Sequence, residues 1–104
     1  MTDIERRFNS RMVEIYQLAK KLCNYNATRF MEMISRPEGA VSAAKQLLRG
    51  DQVQYGLMEL YHCGHLEISV EAAVVSDEFR ELFTEEDIAV AQKRLKDLRY
   101  DQAT

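Results

Sequence analysis

The sequence predicts an all-α domain, a compact bundle of five to six short helices with oblique crossings. Three observations predict it. Apolar residues recur at three- and four-residue intervals along most of the chain, the period of a helix face. Capping residues stand where these stripes begin, and glycine or asparagine stands where several of them end. One proline and four glycines punctuate the chain too sparsely for many strands, while Ala, Leu, Glu, Lys, Arg, Gln and Met, all good helix formers, are plentiful.

The first helix starts at Thr2, with Thr2 and Glu5 at capping-box spacing. Ile4, Phe8, Met12, Ile15, Ala19 and Leu22 form its stripe, and Arg6, Arg7, Arg11, Glu14, Lys20 and Lys21 fill the other side. Asn24 to Asn26 breaks it, and Asn26 is expected to cap a second helix that buries Ala27, Phe30, Met31 and Ile34. Arg36-Pro37 ends that helix, because the residue before proline is pushed out of the helical region. Ser35, Pro37 and Glu38 suit the first turn of a third helix with Val41, Ala44, Leu47 and Leu48 on its apolar face, stopped by Gly50.

Asp51 is expected to cap a fourth helix carrying Val53, Leu57, Met58, Leu60 and Tyr61 and closed by Gly64. Gly56 inside it suits a close helix crossing. His65 to Ile68 alternates polar and apolar but is too short for a strand. Ser69 caps a short helix through Val70, Ala73 and Val74, and Ser76-Asp77 opens a turn that buries Phe79, Leu82 and Phe83. Thr84 caps the last helix. Glu85, Glu86 and Asp87 sit at its positive end, Lys93, Arg94, Lys96 and Arg99 at its negative end, and Ile88, Ala91, Leu95 and Leu98 form its stripe.

At 104 residues the chain makes one domain, 1–104, with enough length for one core. Apolar residues at 46% and charged residues at 30% are a globular composition, not a disordered one. A net charge of −3 is too weak to draw nucleic acid to the whole surface, or to mimic DNA, so any electrostatic function is local. The opening residues Thr2, Asp3 and Glu5 lack the basic and apolar regions of a secretion signal. Two distant cysteines, Cys23 and Cys63, then read as reduced thiols rather than a disulfide framework, and the expected location is the cytoplasm. No apolar run reaches the roughly 18–20 residues of a membrane span, so no membrane partner is expected.

The run Tyr25-Asn26-Ala27-Thr28-Arg29-Phe30 leads to Ala43-Ala44-Lys45 and Leu47-Leu48. Gly64-His65-Leu66-Glu67-Ile68-Ser69-Val70-Glu71, Leu82-Phe83-Thr84-Glu85-Glu86 and Arg94-Leu95 follow. Over about residues 16–100 this pattern of spacings resembles a family of small prokaryotic helical domains found alone or beside nucleases and restriction-type enzymes on mobile DNA. Asn24 stands where that pattern has glycine. The resemblance implies a bacterial or phage setting and carries over no active site.

Four sets of residues are candidates for chemistry or binding. His62, Cys63, His65 and Cys23 are the ligand types of a structural zinc site, yet neither a C-x-x-C nor an H-x3-H pair is present. Their plain reading is a helix end with a buried thiol and two surface histidines. The same residues as a Cys-His nucleophile lack an orienting third group and an oxyanion site, and no phosphate loop or nucleophile elbow exists. The chain is therefore expected not to be an enzyme and to carry no cofactor.

Arg6, Arg7 and Arg11 on the first helix, with Arg94 and Arg99 on the last, would make one phosphate-binding patch if those helices lay side by side. Interspersed acids favour an ordinary solvated face. Residues 51–75 fit a helix-turn-helix poorly, because the second helix opens Ser-Val-Glu-Ala with no base-reading side chain. Tyr25, Asn26 and Arg29 suit a protein hot spot, against a cap-and-core-edge alternative, and Met33 lies off the main stripe. The expected function is a small non-enzymatic protein-binding module, a phage or mobile-element regulator or inhibitor of a bacterial complex. The second reading is a nucleic-acid-binding accessory using the basic patch. A homo-oligomer is compatible with both.

Overall fold

Six α-helices and two 3₁₀ turns account for the computed structural model, which describes residues 2–49 and 54–98 and contains no strand among them. The expected roles of Gly50, Asp51, Val53 and Arg99 lie outside the described residues. Helix α1 spans Asp3–Cys23 and opens on the expected capping box. The Thr2 amide donates to Glu5 Oε1 at 2.9 Å and the Glu5 amide to Thr2 Oγ1 at 3.3 Å. Phe8, Met12, Ile15 and Ala19 are buried along it. Leu22 departs from the expected stripe: it is 46% exposed, while Ala19 and Cys23 on either side of it meet the smaller cluster. Asn24 ends the helix in the left-handed region at φ 53°, which asparagine tolerates better than most residues. The Tyr25 amide then reaches back to the Ala19 carbonyl at 3.1 Å.

Helix α2 is Thr28–Ile34, and it corrects the sequence reading twice. Asn26 does not cap it. Its Oδ1 instead accepts the Tyr16 hydroxyl at 2.8 Å, so the side chain fastens the loop to α1. No residue of α2 is fully buried; Phe30 and Ile34 pack on the edge of the core, with Met31 and Met33 half-buried. Helix α3, Gly39–Arg49, begins later than Pro37 suggests. Residues 35–38 turn, and Gly39 takes φ +86°, a region other residues enter at a cost. The first amide after it, that of Ala40, is satisfied by Asn9 Oδ1 of α1 at 3.0 Å. Ala40, Ala43 and Ala44 are buried, and their small side chains let α3 lie close on α1.

Helix α4, Gln54–His62, buries Leu57 and Leu60, and Gly64 stops it as expected at φ +82°. A 3₁₀ turn, Leu66–Ile68, replaces any strand there. Helix α5, Val70–Val74, is capped by Ser69 Oγ, which accepts the Ala72 amide at 3.1 Å. A second 3₁₀ turn, Arg80–Leu82, seats Phe79 and Phe83 inward. Helix α6, Glu85–Asp97, has a full capping box: the Thr84 amide donates to Asp87 Oδ2 at 3.2 Å and the Asp87 amide to Thr84 Oγ1 at 3.1 Å.

The helices cross obliquely around two clusters of buried side chains. The larger joins Phe8, Met12, Ile15, Ala44, Val74, Phe79, Phe83 and Ala91. Phe8 meets Phe79 and Phe83 edge-on, with ring centroids 5.2 and 5.4 Å apart. The smaller joins Ala19, Leu57, Leu60, Leu66 and Ile68, with Cys23, Tyr25 and Leu98 at its margin. Among the described residues no helix is long and apolar enough to cross a membrane.

Candidate functional site

Helix α6 packs chiefly on α5 and α3 rather than along α1, and this decides the fate of the expected basic patch. Arg94 faces inward, its side chain 12% exposed, and pairs with the buried Glu71 at 3.2 Å. The same guanidinium donates to the carbonyls of Leu47 and Leu48, each at 3.2 Å. A cation at the carbonyl end of α3 is favoured by the helix dipole as well as by the hydrogen bonds. Burial pushes the Glu71 carboxyl above the ordinary carboxylate range, and bonds from its own backbone amide and from Arg94 offset this only in part. Arg94 is therefore a bolt between α3, α5 and α6. It is not a surface cation, and the expectation that it contacts phosphates is corrected. Glu71, the acid of the Ser-Val-Glu-Ala segment, is interior for the same reason.

What survives of the patch is a groove along one face of α1. Arg6, Arg7, Ser10, Arg11 and Glu14 line it, with Glu78 and Phe79 opposite, around a volume of about 330 Å³. Arg7 Nη1 and Arg11 Nη2 each approach one oxygen of Glu78, at 3.5 and 3.4 Å. Arg11 also reaches Glu14 at 3.5 Å, and its guanidinium carbon lies 5.5 Å from the centre of the Phe79 ring. Asp3 approaches Arg7 at 3.8 Å. Three carboxylates, those of Glu78, Glu14 and Asp3, thus attend the two guanidiniums of Arg7 and Arg11 and offset much of the positive charge of the groove.

A different site emerges at the far end of α1. Cys23, the last residue of that helix, and Cys63, the first residue after α4, are joined as a disulfide, with Cα atoms 5.7 Å apart and a sequence separation of 40. That Cα separation lies in the usual range for a bridged pair. The expectation of two free thiols, one of them buried, is corrected: both residues are half-buried and linked. Their sulfurs bind each other, so neither serves as a zinc ligand or nucleophile in this state. Among the described residues no group of three or more His, Cys, Asp or Glu converges as a metal site.

Among the described residues, the two exposed large apolar side chains stand next to this link in sequence. Leu22, 46% exposed, precedes Cys23, and Tyr61, 43% exposed, stands two residues before Cys63. The Tyr61 and His62 rings meet edge-on at 5.5 Å. On the other side of Cys23 lie Tyr25, half-buried against the smaller cluster, and the exposed Asn26. Arg29 is exposed on the first turn of α2, and Met33 lies four residues on, on the same helix face. His65 Nδ1 is 2.7 Å from Glu67 Oε1. Burial pushes the Glu67 carboxyl up, but the bonds from His65 and from its own backbone amide, with the His65 charge, leave it below the ordinary range.

Leu22 and Tyr61 were not singled out in the sequence as contact residues. Each sits on a helical stripe, and only the tertiary arrangement reveals that it overhangs the core. Comparisons with protein-family models, with curated proteins and with solved structures give no match for this chain.

Proposed function

We propose that this protein is a small non-enzymatic module that binds another protein through the disulfide-tied end. Leu22, Tyr61, Tyr25, Asn26, Arg29 and Met33 form the contact face. The observation that carries this reading is that, among the described residues, the two exposed large apolar side chains stand one and two residues from the joined Cys23 and Cys63. Apolar and aromatic groups rimmed by Asn26, Arg29 and His62 have the make-up of an interface centre with a polar edge. The resemblance noted in the sequence adds a bacterial or mobile-element setting. A regulator or inhibitor of a larger bacterial complex, such as a defence system, fits that setting.

Affinity capture of the tagged chain from bacterial lysate, with and without nuclease, tests the reading. A near-stoichiometric protein that survives nuclease is the expected result. Recovery that vanishes with nuclease transfers the function to Arg6, Arg7 and Arg11 as a nucleic-acid contact, with a salt slope of at most about three phosphates. Sedimentation of the purified chain alone reports whether the partner is a second copy.

A further inference from the structure

The disulfide ties the end of α4 to α1, the helix that carries Phe8, Met12 and Ile15 into the larger core. Helix α4 packs chiefly on α1 and on the Leu66–Ile68 turn. Leu57 and Leu60 are its fully buried side chains from residue 57 onward, and both belong to the smaller cluster. The larger core, by contrast, draws on α1, α3, α5 and α6. Both linked residues are only partly buried, and exchange with a small thiol depends on such access to the bond.

From the placement of this bond we infer that Cys23–Cys63 is a reversible thiol–disulfide switch that sets the geometry of the contact face; the regulatory part of this inference rests on the function proposed above. The reaction partner is a low-molecular-weight thiol such as glutathione. Its thiolate attacks one protein sulfur, a mixed disulfide forms, and the other cysteine leaves as a thiolate that takes up a proton. A second thiol then attacks the mixed disulfide, so two protein thiols and one small-molecule disulfide result. The protein has gained two electrons and two protons, and the small thiols have lost them. In the oxidised state Leu22 and Tyr61 are held in one relation across the bond. In the reduced state α4 loses its covalent tie to α1 while Leu57 and Leu60 stay in the smaller cluster, and it opens more often.

The test is amide hydrogen exchange on the purified chain in oxidised and reduced glutathione, with thiol state read by alkylation and mass. Oxidised glutathione should join the sulfurs and reduced glutathione should open the bond, both without denaturant. On reduction, exchange should rise on the order of tenfold for amides of 57–68 and stay unchanged in α3 and α6. Cys23→Ser and Cys63→Ser should show the reduced pattern in both buffers. Equal exchange in 57–68 in the two states would overturn the switch, as would sulfurs that stay free thiols in oxidised glutathione or a bond that opens only in denaturant. This readout needs no partner, so it stands or falls separately from the docking reading, which fails if Leu22→Asp and Tyr61→Asp keep their capture partner.

Discussion

The two buried clusters are built on different physics. The larger one is an ordinary protein interior of interlocked aromatic rings and small alanines that admit close helices, with the Glu71–Arg94 ion pair binding α5 and α6 beside it. The smaller one has, among the described residues, five buried side chains, a hydroxyl-to-amide tether from Tyr16 to Asn26 beside it, and a covalent bond at its margin. The difference teaches where this fold can change. A densely packed core resists graded deformation, whereas an end held by few contacts and one reducible bond has an intermediate state available to it.

The largest effect should come from breaking the interior pair. Arg94→Leu or Glu71→Leu alone leaves the other charge buried without its partner and should cost about 3–5 kcal/mol, measured by urea unfolding. The double substitution should cost less than the two added together; strict additivity would mean the pair is not coupled. Next comes the covalent tie. Opening a loop of this length should lower stability by about 2–4 kcal/mol. Cys63→Ser should lose that amount in oxidising buffer, and the wild type should match it only after reduction. If the wild type unfolds at the same urea concentration in both buffers, the end does not depend on the bond.

The pH dependence sharpens the contrast further. The folded chain holds the Glu71 proton more tightly than the unfolded chain, because burial lifts its carboxyl. The stability this contributes is complete below the unfolded carboxylate value of about 4.3 and is lost as pH rises through the folded value. Glu71→Gln cannot titrate, so the stability of the wild type relative to this variant should decline as pH rises above that unfolded value. A gap that stays level with pH would show that the larger core does not raise this carboxyl. A smaller effect, about 1 kcal/mol, should follow Asn9→Ala, which removes the acceptor of the Ala40 amide at the start of α3.

The helix map was legible because its signals are local. Thr2 with Glu5 and Thr84 with Asp87 close capping boxes three residues apart, Ser69 caps within one turn, and Gly64 stops a helix by its own backbone freedom. What was missed depends on contacts between residues far apart in sequence. Asn9 caps α3 across 31 residues, and Arg94 finds Glu71 and the end of α3 across 23 to 47. Asn26 stood at the right place to cap α2, but Tyr16 on α1 engages its oxygen instead. The disulfide joins residues 40 apart with no spacing motif to announce it. Of the candidate site, Tyr25 and Asn26 were readable as an aromatic and amide pair beside a helix break. Leu22 and Tyr61 were not, because a helical period marks a face and not whether a neighbour covers it.

On the function proposed, the disulfide-tied end, and not the arginine groove, is the working surface. Partner capture by Leu22→Asp/Tyr61→Asp set beside Arg6→Glu/Arg11→Glu tests it most directly. Leu22 and Tyr61 are already exposed, so their change should move stability by no more than about 0.5 kcal/mol. The first variant is expected to lose its protein partner while the second keeps it. Capture retained by the first and lost by the second would move the function to the groove.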